Sequence, residues 1–259
     1  MILWRLILAA ILLPLPALAA DRQFANGEAV TLEPDQGYVL VRTFQVAGGG
    51  LHGTSLFAPI LIRVLSDAEL AQAKALAASD PDHWMQNVDS NVVEPFADKP
   101  YAVVDHEEYL LTSLRPGTYI LGGLAVTNWA IASGGIMTTS LVMGTVKFEV
   151  KPGTITDMGA ILGAFDYEPT DIPELTHVVL GKPLGDEARP TTMALRIDPA
   201  DVPAALGALP RVPADYRAVG PMPNYSGAPL SRLAPLAGVI DYDKDGNVID
   251  LKTGVKSRS

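Results

Sequence analysis

Tyr109–Leu162 reads YLLTSLRPGTYILGGLAVTNWAIASGGIMTTSLVMGTVKFEVKPGTITDMGAIL, and its punctuation decides the fold class. Two Pro-Gly-Thr triplets, Pro116-Gly117-Thr118 and Pro152-Gly153-Thr154, each follow a basic residue, Arg115 and Lys151, and each separates two β-prone runs. Proline pre-sets φ at the first central position of a tight turn and glycine supplies a positive φ at the second. Both triplets therefore read as type II turns of hairpins. Between them Val146, Phe148 and Val150 alternate with Thr145, Lys147 and Glu149, the period of a half-exposed strand. Tyr109–Leu114 and Tyr119–Val126 are more continuously apolar. The Gly122-Gly123 pair in the second predicts a bulge or a close backbone approach.

Upstream, Gly37–Ala47 (GYVLVRTFQVA) is apolar on both faces near its start and reads as a buried strand, followed by a glycine-rich loop to Gly53. Ser55–Leu65 is a second strand, with Pro59 at an edge, a bulge or a bend because proline cannot donate to a ladder. At Ser66 the period changes. Ser66 and Glu69 form a capping box ahead of strong helix formers, so a helix is expected over Ser66–Ala78, ending near Ser79-Asp80-Pro81. Asp82–Lys99 reads as a loop, Tyr101–Val104 as a short strand and Asp105-His106-Glu107-Glu108 as a polar turn.

Downstream, Pro169–Ser259 carries 12 of the chain's 21 prolines, which breaks its apolar residues into short pieces. It reads as an ordered, irregular extension wrapping the upstream strands, or as a small second unit. His177–Leu180 and Met193–Ile197 are candidate strands. Asp201 ahead of Val202-Pro203-Ala204-Ala205-Leu206 predicts a short helix. The last ten residues or so are expected to be loose.

Met1–Ala20 has the organisation of a signal peptide: Arg5, an apolar run from Leu6 to Leu18, and the small residues of Ala17-Leu18-Ala19 before a cleavage site. The run is shorter than the roughly 20 residues a spanning helix needs and contains Pro14 and Pro16. No later stretch is long and apolar enough to span a bilayer, so no transmembrane segment is expected after signal removal. The predicted organisation is a signal peptide over 1–20, a β-sandwich domain over 21–168, and a proline-rich extension over 169–259 that ends in a β-hairpin.

With 259 residues, 48% of them hydrophobic, the chain can bury a sizeable core, and 19% charged residues argue against wholesale disorder. A net charge of −10 with no Lys/Arg-rich run opposes nucleic-acid binding. Cysteine is absent, which removes disulfides, zinc–thiolate sites, cysteine nucleophiles and a lipid-modified N-terminal cysteine.

The sharpest chemical motif is Asp241-Tyr242-Asp243-Lys244-Asp245-Gly246-Asn247-Val248. Asp241, Asp243 and Asp245 with Gly246 match the first half of an EF-hand loop and make these three aspartates a candidate Ca²⁺ site. The match ends at Lys252, which stands where a bidentate glutamate should close the shell. The same residues suit a three-residue hairpin loop, a type I turn with Gly246 left-handed in a G1 bulge. Tyr242 then pairs with Val248 and Val239 with Leu251, and this is the preferred reading.

His52, His83, His106 and His177 are not at metal-ligand spacing. Asp105-His106-Glu107-Glu108 is the densest titratable cluster and reads as a solvated turn, with a His106/carboxylate hydrolase as the rival. No G-x-S-x-G, P-loop or dinucleotide fingerprint is present; Ser133-Gly134-Gly135 and Gly48-Gly49-Gly50 lack the flanking residues. Trp84 and Trp129 fall in expected loops.

Leu114-Arg115-Pro116-Gly117-Thr118-Tyr119, Phe148-Glu149-Val150-Lys151-Pro152-Gly153 and Gly159-Ala160-Ile161 resemble the pattern of uncharacterised bacterial envelope proteins built on a small β-sandwich. These carry an L-x-P-G-x-Y turn and then an F-x-V-x-P-G strand and turn. The resemblance covers roughly Gly37–Ala164. It implies an extracytoplasmic sandwich and no catalytic residues. Many such proteins are lipoproteins, from which this cysteine-free chain departs.

The expectation is a mainly β, antiparallel sandwich with one inserted helix and an irregular proline-rich extension. Functionally it is an exported, periplasmic or secreted, non-enzymatic envelope module for a protein or glycan partner. The alternatives are an exported hydrolase and a calcium-stabilised extracellular module.

Overall fold

A computed structural model describes residues 22–45, 55–79, 92–93, 100–104, 107–128, 135–164, 192–197, 202–222 and 230–257. The expected signal peptide and the candidate strand His177–Leu180 lie outside the described residues. In chain order the strands begin with β1 (Arg22–Gln23), β2 (Gly37–Gln45) and β3 (Ser55–Arg63), followed by helix α1 (Asp67–Ser79). Next come β4 (Val92–Val93), β5 (Ala102–Val104), β6 (Glu107–Leu114), β7 (Gly117–Asn128), β8 (Gly135–Ser140), β9 (Thr145–Val150) and β10 (Ile155–Ala164). The last group is β11 (Thr192–Arg196), β12 (Arg211–Pro213), β13 (Arg217–Val219), β14 (Ile240–Tyr242), β15 (Val248–Asp250) and β16 (Lys256–Ser257).

The fold is mainly β, and the strands form three separate sheets rather than a closed barrel. The first sheet runs β1-β6-β2-β10-β11, with β5 beside β6 and β12 beside β10. The second runs β13-β9-β7-β3-β4, with β8 beside β7. One core lies between them, joining Val39, Leu110 and Ile161 of the first sheet to Leu61, Leu121 and Phe148 of the second. Between the named strands the pairing is antiparallel, as expected, except that β10 lies parallel to β2 and to β12. β2 and β10 belong to distant parts of the chain, so no tight turn forces them to run antiparallel.

The two Pro-Gly-Thr triplets do not close hairpins. β6 lies in the first sheet and β7 in the second; β9 lies in the second and β10 in the first. Each triplet is a corner where the chain changes sheet. Proline suits that place, because a residue leaving one ladder has no use for its N–H. Gly153 takes φ +64, whereas Gly117 takes φ +150, far from the roughly +80° a type II turn needs. Tyr119, two residues into β7, turns back and donates its hydroxyl to the Arg115 carbonyl at 2.8 Å. This is the hydrogen bond of a tyrosine corner. The second corner docks on the lead into β2: Gly153 donates to Gln36 at 2.7 Å and Tyr38 to Thr154 at 3.3 Å. Gly37 must be small here, since a Cβ would lie 2.3 Å from Val150 Cγ1.

The alternation read in β9 holds for Val146, Phe148 and Val150, which are buried, and for Lys147 and Glu149, which are exposed. Thr145 departs from it. It is buried and donates its hydroxyl to the Leu121 carbonyl at 2.6 Å, satisfied by the backbone of the neighbouring strand. The glycine pair marks a bulge as expected: Ile60 faces Gly123 and Leu61 faces Leu121, leaving Gly122 as the extra residue. Pro59 sits next to that bulge, outside the Leu61–Ile62 stretch that β4 covers. β4 itself corrects the reading of Asp82–Lys99 as loop throughout.

β2 is buried on both sides. Val39 and Val41 face the central core, while Tyr38 and Leu40 pack with Phe24, Tyr101 and Leu206 on the outer face. The capping box forms: Ser66 N donates to Glu69 Oε2 at 2.8 Å and Glu69 N to Ser66 Oγ at 3.3 Å. The Arg63 guanidinium, 2.9 Å from Glu69, and the Ser66 N–H hold the Glu69 carboxyl at about 2. Among the described residues, no helix is long and apolar enough to cross a membrane.

The C-terminal segment adds β11 and β12 to the first sheet and β13 to the second. Between β12 and β13, Tyr216 enters the core, donates to the Met158 carbonyl at 2.7 Å and packs 5.6 Å from Phe148. Burial pushes its hydroxyl pKa well up. The expected helix after Asp201 is a short 3-10 turn, Ala204–Leu206, whose preceding residue Pro203 has no side chain to cap it. The chain expected to be loose is paired as far as Ser257, where β16 joins β15 to complete a third sheet with β14.

Tyr119→Phe removes one part-buried hydrogen bond without changing the ring. It should cost about 1 kcal/mol in a urea titration with an unchanged slope. Gly144→Ala places a Cβ 2.6 Å from Tyr242 Cε1 and 2.9 Å from Val248 Cγ2. This overpacking of the third sheet should cost about 1–3 kcal/mol, and a wild-type melting curve would contradict it.

Candidate functional site

The aspartate-rich loop is the turn between β14 and β15. Tyr242 faces Val248, and Leu251 N donates to the Val239 carbonyl at 2.9 Å, as the hairpin reading requires. Gly246 takes φ +84 and donates to the Asp243 carbonyl at 2.9 Å, while Asp243 N donates to the Asn247 carbonyl at 3.0 Å. Asp243 does the internal work. Its Oδ1 accepts from Asp245 N and Asn247 N, both at 3.0 Å, and both its oxygens accept from Asn247 Nδ2 at 3.1 Å. Lys256 lies 3.5 Å away. These donors, the Asn247 side chain first, hold the Asp243 carboxyl at about 2. Asp241 and Asp245 are exposed, and Asp241 accepts from its neighbour Tyr242 N at 2.8 Å. Among the described residues, no group of three or more histidine, aspartate or glutamate side chains has the arrangement to hold a metal ion.

The hairpin is tied down on its other face. Tyr242 donates to the Leu233 carbonyl at 2.7 Å under the Arg232 guanidinium, 4.3 Å above its ring, and burial raises its hydroxyl pKa. Arg217 of β13 reaches Asp250 Oδ2 with two nitrogens, at 2.8 and 3.2 Å, and Lys252 pairs with Asp215. Asp250 and Asp215 are correspondingly lowered, the first against a burial cost and the second chiefly by its bond to Lys252.

The acidic stretch read as a turn divides. Asp105 and His106 lie outside the described residues, as do His52, His83, His177, Trp84 and Trp129. Glu107 and Glu108 belong to β6, which corrects the turn. Strand alternation sends them to opposite faces. Glu107 shares the outer face with Arg42 and Arg196, which both stand beside Ala160 in the ladder. Its Oε2 lies 3.4 Å from Arg42 and its Oε1 3.6 Å from Arg196. The sequence reading passed over Arg42 inside an apolar strand. A buried guanidinium demands a carboxylate, and that demand was the available signal.

Glu108 shares the other face with buried Thr43 and with Val103. Burial raises its carboxyl pKa, and among the described residues no cation pairs with it. Val103 and Val104, on the edge strand β5, are 57% and 39% exposed. These features make the end of the first sheet at β5 and β6 the candidate functional site. It combines a strand edge that no described strand covers with an adjoining carboxylate.

The chain matches no family model, no curated protein and no solved structure.

A carboxyl held low stabilises the fold above its unfolded value near 4, and that contribution is lost as pH falls through the folded value. An NMR titration of Asp243 should accordingly give a midpoint of about 2. A midpoint near 4 would remove the hairpin network. With Asp243 so engaged, melting temperatures in Ca²⁺ and in chelator should coincide, and a clear rise in Ca²⁺ would restore the cation site at Asp241, Asp243 and Asp245.

Proposed function

We propose that this protein is an exported, non-enzymatic module of the bacterial cell envelope, periplasmic or secreted, that binds a protein or glycan partner through its loops and a sheet edge. The observation that carries the reading is the disposition of charge. Glu69, Glu107, Asp157, Asp215, Asp243 and Asp250 each bond an arginine, a lysine or a backbone N–H within the framework. Side chains so used brace a scaffold. Meanwhile exposed valines remain on an open strand. Export rests on the pattern of Met1–Ala20.

The test is an affinity capture of the tagged mature protein from its own envelope fraction after mild crosslinking, read by mass spectrometry. One stoichiometric protein, or retention on a defined glycan, supports the reading. A blank capture together with a hydrolysis that His106→Ala abolishes would replace it with the enzyme.

A further inference from the structure

The edges of the two main sheets are not equivalent. The outer side of β11 is met by the C-terminal segment, where Ala234 donates to the Met193 carbonyl at 2.9 Å. β8 is met likewise, by Ser231 donating to the Ser140 carbonyl at 2.8 Å. β13 is braced against β15 through Arg217 and Asp250. β12 ends in Pro213 and β3 contains Pro59, and proline spoils a strand edge for pairing. β1 presents only Arg22 and Gln23, and β4 only the two residues Val92 and Val93. β5 differs from all of these. It pairs with β6 on one side, no described strand pairs with the other, and it carries two exposed valines and no charge.

Resting on the binding-module reading, we infer that β5 is the docking edge for an extended segment of a partner protein in which basic residues alternate with apolar ones. Such a segment adds a strand to the first sheet and supplies the backbone partners that the edge offers. Val104, on the opposite face from Val103, sets its apolar positions. Its charge is set by Glu108, which shares a face with Val103 and stands half-buried. A lysine beside Val103 is two strand spacings from Glu108, about 10 Å between backbones, and its long stem crosses the valine to reach the carboxylate. A second copy of this chain is the poorer occupant. Pairing two β5 edges joins chains that each carry −10 and offers Glu108 no cation, because β5 is Ala102-Val103-Val104.

The probe is a short synthetic peptide of alternating valine and lysine, with a valine–glutamate peptide as control, titrated by fluorescence anisotropy against the full chain. The lysine peptide should bind and the glutamate peptide should not. Val103→Lys, at an exposed position that leaves the core intact, should weaken binding roughly tenfold or more. Glu108→Gln should weaken it about two- to fivefold and flatten its salt dependence. No binding up to about 1 mM overturns the inference. So does binding indifferent to Val103→Lys, or self-association that this substitution abolishes. The two readings fail separately: a partner captured equally by wild type and Val103→Lys removes the edge and leaves the module.

Discussion

The structure depends on two places where the chain leaves one sheet for the other. At Arg115-Pro116 the chain crosses in two residues, and at Lys151-Pro152-Gly153-Thr154 it crosses back. The start of β7 pairs with the end of β9, Gly117 beside Val150, so the two corners lie side by side at one end of the sandwich. The Tyr119 hydroxyl ties the first crossing to its own backbone, and the absent side chain of Gly37 lets β2 begin against Val150. The bond and the close approach together set how the two sheets face each other.

With the corners in place, the first sheet acquires two covered faces. Its inner face meets the second sheet, and its outer face carries Phe24, Tyr38, Tyr101 and Leu206. That explains why β2 is apolar in both directions, and why its one guanidinium, on Arg42, is held beside Glu107 instead of reaching water. The C-terminal segment then bridges the two sheets. It passes from β12 on one to β13 on the other and leaves Tyr216 between them, hydrogen-bonded to Met158. A chain without cysteine has no covalent staple, and this bridge of packing and hydrogen bonds holds the two sheets together.

Charge follows the same division. The third sheet is fastened by Arg217–Asp250 and Lys252–Asp215, and its turn by the Asp243 carboxylate. Side chains with these duties are scaffold. Glu108 differs from these, placed by strand alternation on the face away from the arginines that attend Glu107. Its neighbour β5 is the place where framework gives way to surface.

Much of this was legible in the residue order, because the signals were local. The capping box at Ser66 and Glu69, the alternation of Val146, Phe148 and Val150, the bulge at Gly122 and the G1 turn at Gly246 each arise from residues within a few positions of one another. The sequence by itself therefore determined the long central strands, the helix and the places where the chain turns between them, while the short strands β1, β4, β12, β13 and β16 carried no local signal. Tertiary structure decided what the turns connect. Pro-Gly-Thr chemistry is the same whether the next strand returns beside the last or crosses to another sheet, so only the packing of Gly37, Val150 and Tyr119 made corners of the expected hairpins. It also set β10 parallel to β2, gave Thr145 a carbonyl to bond, and brought Arg42 and Arg196 to Glu107 across distant strands. Those partners are far apart in the chain, and no local preference encodes a contact whose other half lies dozens of residues away.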